Sequence, residues 1–434
     1  MRDSLHSRRK AWLDELFRDY QGAAFAVWLW DGWQWECRPG EAPACTIVAT
    51  DPEALAALLA KPNELTLGEA FINGALDVEG DLFSVFAVAE HLFSRPRTLK
   101  RQIAEKAAMA VFGLGERIRH GAVSSRRRDR ASIAYHYDQP VSFFEPWLGD
   151  SLVYSCAYFH DAGNSLDQAQ HQKLDLVCRK LRLKPGERFL DIGCGWGSLL
   201  MHAGSCGAHA HGITLSREQA ATAQRRIQRA HLEDGCTAEL RDYRELDGTL
   251  QPFDKIASVG MFEHVGLKNL PLYFGIAYRL LKPGGLLLNH AIARSQLAPV
   301  RPNSFVERYV FPDGRLVTLT ETLDAAQSQG FEVRDVENLR EHYELTLRRW
   351  VVGLKAHRQE LLQQVPEKTY RIWLLYMAGS AAAFRRGDIA VYQTLLSRPD
   401  KGRSGLPLTR ADLYAAQTAA VRSAAQQVDH LTAA

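Results

Sequence analysis

A carboxylate and an imidazole stand side by side in VGMFEHVG, as Glu263 and His264, where an apolar run ends in a turn. His290 closes the apolar run of LLLNHAI, Tyr343 in REHYELTL comes just after the sixth strand candidate, FEVRDVENL, and Cys156 sits in the aromatic segment VYSCAYF. Taken singly, a buried cysteine is a small apolar residue, and a strand-end histidine or tyrosine is a packing residue with a satisfied hydrogen bond. An acid, an imidazole, a phenol and a thiol on one rim are instead the parts of a proton-handling site. A second feature gives that rim a neighbour. LDIGCGWGSLL, Leu190 to Leu200, runs from an apolar strand through Gly193, Gly195 and Gly197 into a helix, so backbone N–H groups can approach an anion closely. Asp191 lies on the strand itself.

The loop is GxGxG, not the GxGxxG of dinucleotide binders. A nicotinamide cofactor also wants an acid about 20 residues on, at the end of the next strand. HGITLSREQ offers Thr214, Ser216 and Gln219 there, with no acid before Glu218. An acid does follow the third strand: Asp242 in LRDYRELD, beside Tyr243, placed either to hold an adenine amino group or to cap a turn. Together these residues resemble the class I methyltransferases, which bind S-adenosylmethionine with its carboxylate end at the glycine loop.

The elements that must position these groups are legible as periodicity. RFLDIG, AHAHGITL, CTAELRDY, DKIASVG, GGLLLNHAI and FEVRDVENL are short apolar segments separated by helical patterns, which predicts an α/β fold with a parallel, doubly wound sheet. IAVYQTLLS adds a last, antiparallel strand. In such a sheet ligands lie beyond the carboxyl ends of the strands, where the polar residues above fall. Ahead of this domain, FAVWLWDGWQWEC predicts a two-residue hairpin turn at Asp31-Gly32, and DPEALAALLA a helix capped by Asp51. The organisation expected is an N-terminal α+β module over 1–115, a basic linker at 116–130, a catalytic domain over 131–400 and a tail from 401 to 434.

The chain has 434 residues, 46% of them hydrophobic, enough for two cores. Its 53 Lys and Arg nearly balance 50 Asp and Glu, which argues against a nucleic-acid partner. From Arg95 to Arg130, however, eleven basic residues face three acids, compatible with either a solvated linker or a basic helix on a membrane surface. Seven cysteines without a CxxC pair or zinc spacing suit a reducing cytoplasm and speak against a metal. The charged N-terminus lacks a signal-peptide pattern, and the longest near-apolar run, Ile372 to Phe384, is short for a membrane span.

The motifs together are similar to those of the cyclopropane fatty acid synthase family, which includes the mycolic acid cyclopropane synthases. The resemblance runs through HYD at 136–138, YSCAYF, SLDQAQHQKLD, LDIGCGWGSLL, GITLSREQ, RDYREL, GMFEHVG, LNHAI, YVFPDG, HYELTLRRW and AAAFRRGDI. It implies a class I methyltransferase domain preceded by a small lipid-carrier-like domain, the latter on the strength of LGEAFINGALDVEGDL. It further implies that Cys156, Glu263, His290, the backbone of Ile292 and Tyr343 hold a bicarbonate ion. For S-adenosylmethionine it implies Tyr154 and Ser155 at the methionine end, Gly193 and Gly195 beneath it, Thr214 and Gln219 near the ribose and Asp242 near the adenine. His264 becomes a supporting residue, while Phe262, Tyr158, Phe159 and Phe305 either line an acyl-chain pocket or simply pack. The acceptor implied is the cis double bond of phospholipid acyl chains, reached by a cytoplasmic enzyme peripheral to the inner face of the membrane, with the longer relatives suggesting a homodimer. Two stretches depart from the family's usual wording: Gln139-Pro140-Val141, where LGN or LSN is usual, and NHAIA for LHTIG. Rival readings are methyl branching of the same alkene, N-methylation of a small amine, and lipid transfer without catalysis.

Overall fold

Apolar strands of the second half of the chain build a seven-stranded sheet, and their order decides where a ligand can lie. The computed structural model describes residues 2–52, 63–94, 140–246, 251–298, 304–311 and 316–414. The 51–60 helix beyond Pro52, the basic linker, the HYD motif, Gln139 and the tail past 414 lie outside these residues. The chain divides into two compact units: residues 1–139, 300–313 and 354–382 form the first, and 140–299, 314–353 and 383–434 the second.

In the first unit, strands β1 (Phe25–Leu29), β2 (Gln34–Glu36), β3 (Cys45–Ala49) and β4 (Leu76–Gly80) pair in the order β2-β1-β3-β4. Aromatic residues fill its core, with Phe17, Tyr20, Phe25 and Trp35 meeting at ring separations of 4.9–6.0 Å. The predicted hairpin forms, but its turn is wider than expected. Gly32 donates to the Leu29 carbonyl at 3.0 Å and Leu29 to Trp33 at 2.9 Å, so three residues close the loop. Gly32 takes φ +81° while Asp31 is not left-handed, as in a type I turn followed by glycine. The Asp31 carboxylate serves two partners: Oδ1 accepts the Trp33 N–H across the turn at 3.2 Å, and Oδ2 pairs with Arg9 at 2.5 Å. Two later segments join this unit: Tyr309 donates to Glu69 (2.9 Å), and Arg371 reaches the Phe71 carbonyl (3.1 Å) and Asp77 (3.0 Å).

The second unit holds β5 (Arg188–Ile192), β6 (His209–Thr214), β7 (Cys236–Leu240), β8 (Phe253–Val259), β9 (Leu281–Arg294), β10 (Glu332–Asn338) and β11 (Ile389–Ser397), ordered β10-β11-β9-β8-β5-β6-β7. Five central and edge strands run parallel, and β11 is antiparallel to both β9 and β10. Both faces are covered, as a parallel sheet requires. Leu190, Ile192, Ile256 and Leu287 pack with Tyr273 and Phe274, while their chain neighbours Phe189, Ala257 and Leu288 pack with Leu174, Val177 and Leu200. Chain order reverses at β5, whose neighbours are β6 on one side and β8 on the other. The crevice of such a sheet therefore opens beside the glycine loop.

Candidate active site

The glycine loop leaves β5 pinned to its neighbour: Gly193 and Cys194 both donate to the Ile213 carbonyl at 2.9 Å. Gly193 (φ +85°) has no room for a side chain, since an added Cβ would meet Met261 Cβ at 2.6 Å. At Gly195 (φ +54°) an added Cβ meets no heavy atom within 4 Å, so this face of the loop is open to a ligand. Thr214, ending β6, donates to Gln219 Oε1 at 2.8 Å, and Ser216 caps the helix that carries Gln219. Both residues expected near a ribose thus stand together. Asp242 caps the Tyr243–Glu245 turn and is clasped by Arg244, while the Tyr243 ring meets Tyr273 edge-on at 5.5 Å. Arg244 holds the Asp242 carboxyl below its ordinary pKa, leaving an ionised acceptor after β7.

The turn after β8 separates Glu263 from His264. His264 is exposed, whereas Glu263 Oε1 accepts the Ile292 N–H at 2.7 Å and Oε2 is buried without a hydrogen-bond partner. Burial pushes the Glu263 carboxyl up to about 7. The Ile292 N–H is therefore committed to Glu263, so its part in any anion site is to orient that carboxyl. His290, on the same face of β9 two residues earlier, is 1% exposed. Gln393 is its partner across β11, and its amide nitrogen lies 3.2 Å from His290 Nδ1. Burial holds the imidazole well below its ordinary pKa, with Lys173 and Lys180 pushing the same way. With the Gln393 nitrogen donating to Nδ1, the proton of this neutral ring sits on Nε2, which is buried without a partner.

Cys156 and Tyr343 converge on one carbonyl. The Cys156 thiol lies 3.8 Å from Leu339 O, which also accepts the Tyr343 N–H at 3.1 Å; Leu339 in turn donates to Val391 on β11 at 2.8 Å. The strand carrying Gln393 thus ties the thiol segment to the imidazole. Further bonds lace 154–159 to the Arg340–Ala356 helix: Ala157 N–H to Thr346 (3.0 Å) and Phe159 N–H to His342 (3.0 Å), with Tyr158 stacked on His342 and Tyr154 on Trp350. The Tyr343 ring rests on Phe384 at 4.6 Å. Of the apolar residues expected around the site, Phe262 serves the core against Tyr273 and Phe274, and Phe305 belongs to the first unit, over Gly68.

Residues 124–394, more than half the chain, match the family described as mycolic acid cyclopropane synthetase. The chain belongs to that family. It is thereby an S-adenosylmethionine-dependent methyltransferase. A probable fatty acid methyltransferase of Pseudomonas putida is 40% identical over 394 residues, 89% of this chain and 95% of the relative. The cyclopropane-fatty-acyl-phospholipid synthase of Escherichia coli K12 is 34% identical over 361 residues, 83% and 89% of the two chains. The crystal structure of mycolic acid cyclopropane synthase CmaA1 complexed with SAH and CTAB matches with a TM-score of 0.57 at 33% identity, covering 61% of this chain and 97% of that one. Residues 12–94 match a separate domain described as of unknown function, DUF7884.

This cyclopropane synthetase family member also buries polar residues that the sequence reading did not single out. Gln170 and Lys173 lie on the inward face of the Leu166–Leu181 helix, both at most 1% exposed, and both bond to Ser155. Their signal is their place in the apolar 3.6 period with Leu174, Val177 and Leu181. Gln393 had no such signal, because its role depends on a residue 103 positions away.

The cysteines of this chain differ in reactivity for physical reasons. Burial raises the Cys156 thiol well above its ordinary pKa, so it is a neutral hydrogen-bonding group and not a nucleophile. Cys206 is exposed, and a hydrogen bond from Cys178 brings it down to about 7. Brief treatment of the native protein with iodoacetamide at neutral pH is expected to alkylate Cys206 and spare Cys156, read by peptide mass spectrometry. Early labelling of Cys156 would show the thiol to be accessible and ionised.

Proposed function

We propose that this enzyme converts the cis double bond of unsaturated acyl chains in membrane phospholipids into a cyclopropane ring. The observation that carries the reading is the pair of buried, unpartnered polar atoms, Glu263 Oε2 and His290 Nε2, next to a loop open at Gly195. Buried polar atoms with no protein partner suit a small bound anion, the base that must take a proton from the cation formed when an alkene is methylated. S-adenosylmethionine, when bound, supplies the methyl group to the alkene, and bicarbonate, when bound, accepts the proton that must leave that carbon for the ring to close.

The chain's own residues then have defined work. His290 donates from Nε2 because Gln393 fixes Nδ1 as the acceptor. Glu263 donates from Oε2 because Oε1 is occupied by the Ile292 N–H, and its raised pKa keeps the proton in place below about pH 7. Cys156 and Tyr343 complete the enclosure as neutral polar groups. The positive charge generated on the acyl chain has to be kept from water, which suits the rings of Phe144, Trp147, Tyr154, Trp196 and Trp350, joined at centroid distances of 4.9–6.1 Å. Tyr154 and Ser155 face the methionine end of the cofactor, Thr214 and Gln219 its ribose, and Asp242 and Tyr243 its adenine. No helix among the described residues is long and apolar enough to cross a membrane. We read the enzyme as a peripheral, homodimeric protein of the inner membrane face, with the 12–94 domain as its lipid-handling module.

Methyl branching of the same alkene is the second reading, favoured by the Pseudomonas putida relative's name as a probable fatty acid methyltransferase. Expression in a bacterium that makes monounsaturated phospholipids but lacks its own synthase separates the two. Gas chromatography with mass spectrometry is expected to show acyl chains heavier by one CH2, with the ring's fragmentation pattern. A branched pattern supports the second reading, and unchanged acyl chains in cells holding folded protein that binds S-adenosylmethionine would exclude both.

A further inference from the structure

A lysine ammonium 1% exposed to solvent is costly unless it is used. The Lys173 ammonium lies 3.0 Å from Ser155 Oγ, within electrostatic reach of Asp191, itself 2% exposed, and of Cys156. One helical turn away, Gln170 donates to the backbone carbonyls of Ser155 (2.9 Å) and Val153 (3.3 Å). Ser155 is therefore fixed at both its backbone and its side chain from a single helix face. Its position is on the cofactor rim: Ser155 Cβ lies 3.7 Å from where a side chain on Gly260 would begin, and the next residue, Met261, is the one that closes Gly193. A lysine has only protons to give, so Ser155 Oγ must accept from it. The single hydroxyl proton of Ser155 is thereby directed elsewhere.

We propose that Lys173 is a positioning residue for the carboxylate of S-adenosylmethionine, acting through Ser155: its ammonium holds Oγ as an acceptor, turns the hydroxyl proton toward the carboxylate and adds a positive charge behind it. The alternative role for Lys173 is neutralisation of Asp191 alone. The proposal rests on the reading that places the methionine end of the cofactor at Ser155.

The two are separated by a pair of probes, S-adenosylhomocysteine and its decarboxylated analogue, titrated calorimetrically into the full-length wild type, Lys173→Met, Ser155→Ala and the double variant. Wild type is expected to prefer the carboxylate-bearing probe by about tenfold or more, the scale of a charge-assisted hydrogen bond. Lys173→Met and Ser155→Ala should each remove most of that preference, and the double variant should remove no more than either. A Lys173→Met protein that binds both probes more weakly but keeps the wild-type preference would overturn the proposal and leave the neutralising role. Should Lys173→Met fail to fold, Ser155→Ala decides, because it leaves the buried Lys173 and Asp191 in place; an unchanged preference in that variant overturns the proposal as well. Wild type without any preference would instead overturn the placement of the methionine end, and the proposal with it.

Discussion

Replacing Glu263 by alanine is expected to lower turnover roughly 10³-fold while affinity for S-adenosylmethionine stays within about twofold of wild type. The change removes the buried Oε2 and strands the Ile292 N–H, a loss of about 1–3 kcal/mol from an unsatisfied buried donor. None of the contacts around Gly195, Thr214 or Asp242 involves Glu263, so cofactor affinity has no reason to follow. Loss of binding in step with activity would refute the anion-site role. Glu263→Gln refines the test. Its amide oxygen can accept from Ile292, and its NH2 mimics the protonated carboxyl at every pH.

The sign of the pH dependence follows from the raised pKa of Glu263. Burial favours the protonated form in the folded protein, so its contribution to stability is fully present below the ordinary glutamate value of about 4.3 and is lost as pH rises through about 7. Its donor function is lost over the same upper range. The ratio of wild-type to Glu263→Gln activity, which cancels the change in bicarbonate supply with pH, is expected to fall as pH rises through about 7. A flat ratio would mean that the proton on Glu263 plays no part.

Alanine at Gly195 and alanine at Gly193 are expected to damage the protein in opposite ways. At Gly195 the added methyl meets no protein atom, so the folded state loses only the roughly 1–2 kcal/mol of a left-handed alanine. The methyl occupies ligand space, and S-adenosylhomocysteine should bind roughly 5- to 150-fold more weakly, the equivalent of about 1–3 kcal/mol of overpacking. At Gly193 the methyl strikes Met261 inside the fold, adding steric cost to the same backbone strain, about 2–5 kcal/mol in all. Thermal melting alongside calorimetry distinguishes them: a modest melting shift with lost binding for Gly195→Ala, a large melting shift for Gly193→Ala. Undiminished binding by Gly195→Ala would move the cofactor off this loop.

How much of this was legible beforehand depends on the range of the interactions involved. The strands of the large sheet were readable because short apolar-rich segments, bounded by turns and separated by helical patterns, are a local signal. The antiparallel β11 was readable for the same reason, though its insertion between β9 and β10 was not. By residue type alone Glu263 and His264 were equivalent neighbours, told apart only by the family resemblance; the turn that carries them sends one inward and the other out. Residues 300–313 and 354–382 read as catalytic-domain sequence, yet they group with the first unit through contacts such as Tyr309 to Glu69, 240 positions apart. Lys173 carried two opposed local signals: a lysine in a helix ordinarily marks the wet face, whereas its place in the apolar period with Leu174 and Val177 marks the inner one. The partners Ser155 and Asp191 that make its burial tolerable come from other elements.

The placement of β11 has a consequence for how the protein is made. It is synthesised after the other six strands of its sheet, yet it lies between two of them and brings Gln393 to His290. Until the ribosome has passed residue 397, the backbone edge of β9 has no partner on that side and is a template for pairing with other chains. A stalled or clipped product lacking β11 would carry a nearly complete glycine loop, an imidazole with no fixed tautomer and a sticky open edge. Cells are therefore expected to clear such fragments through chaperones and proteases, and full-length completion is what first makes the site competent.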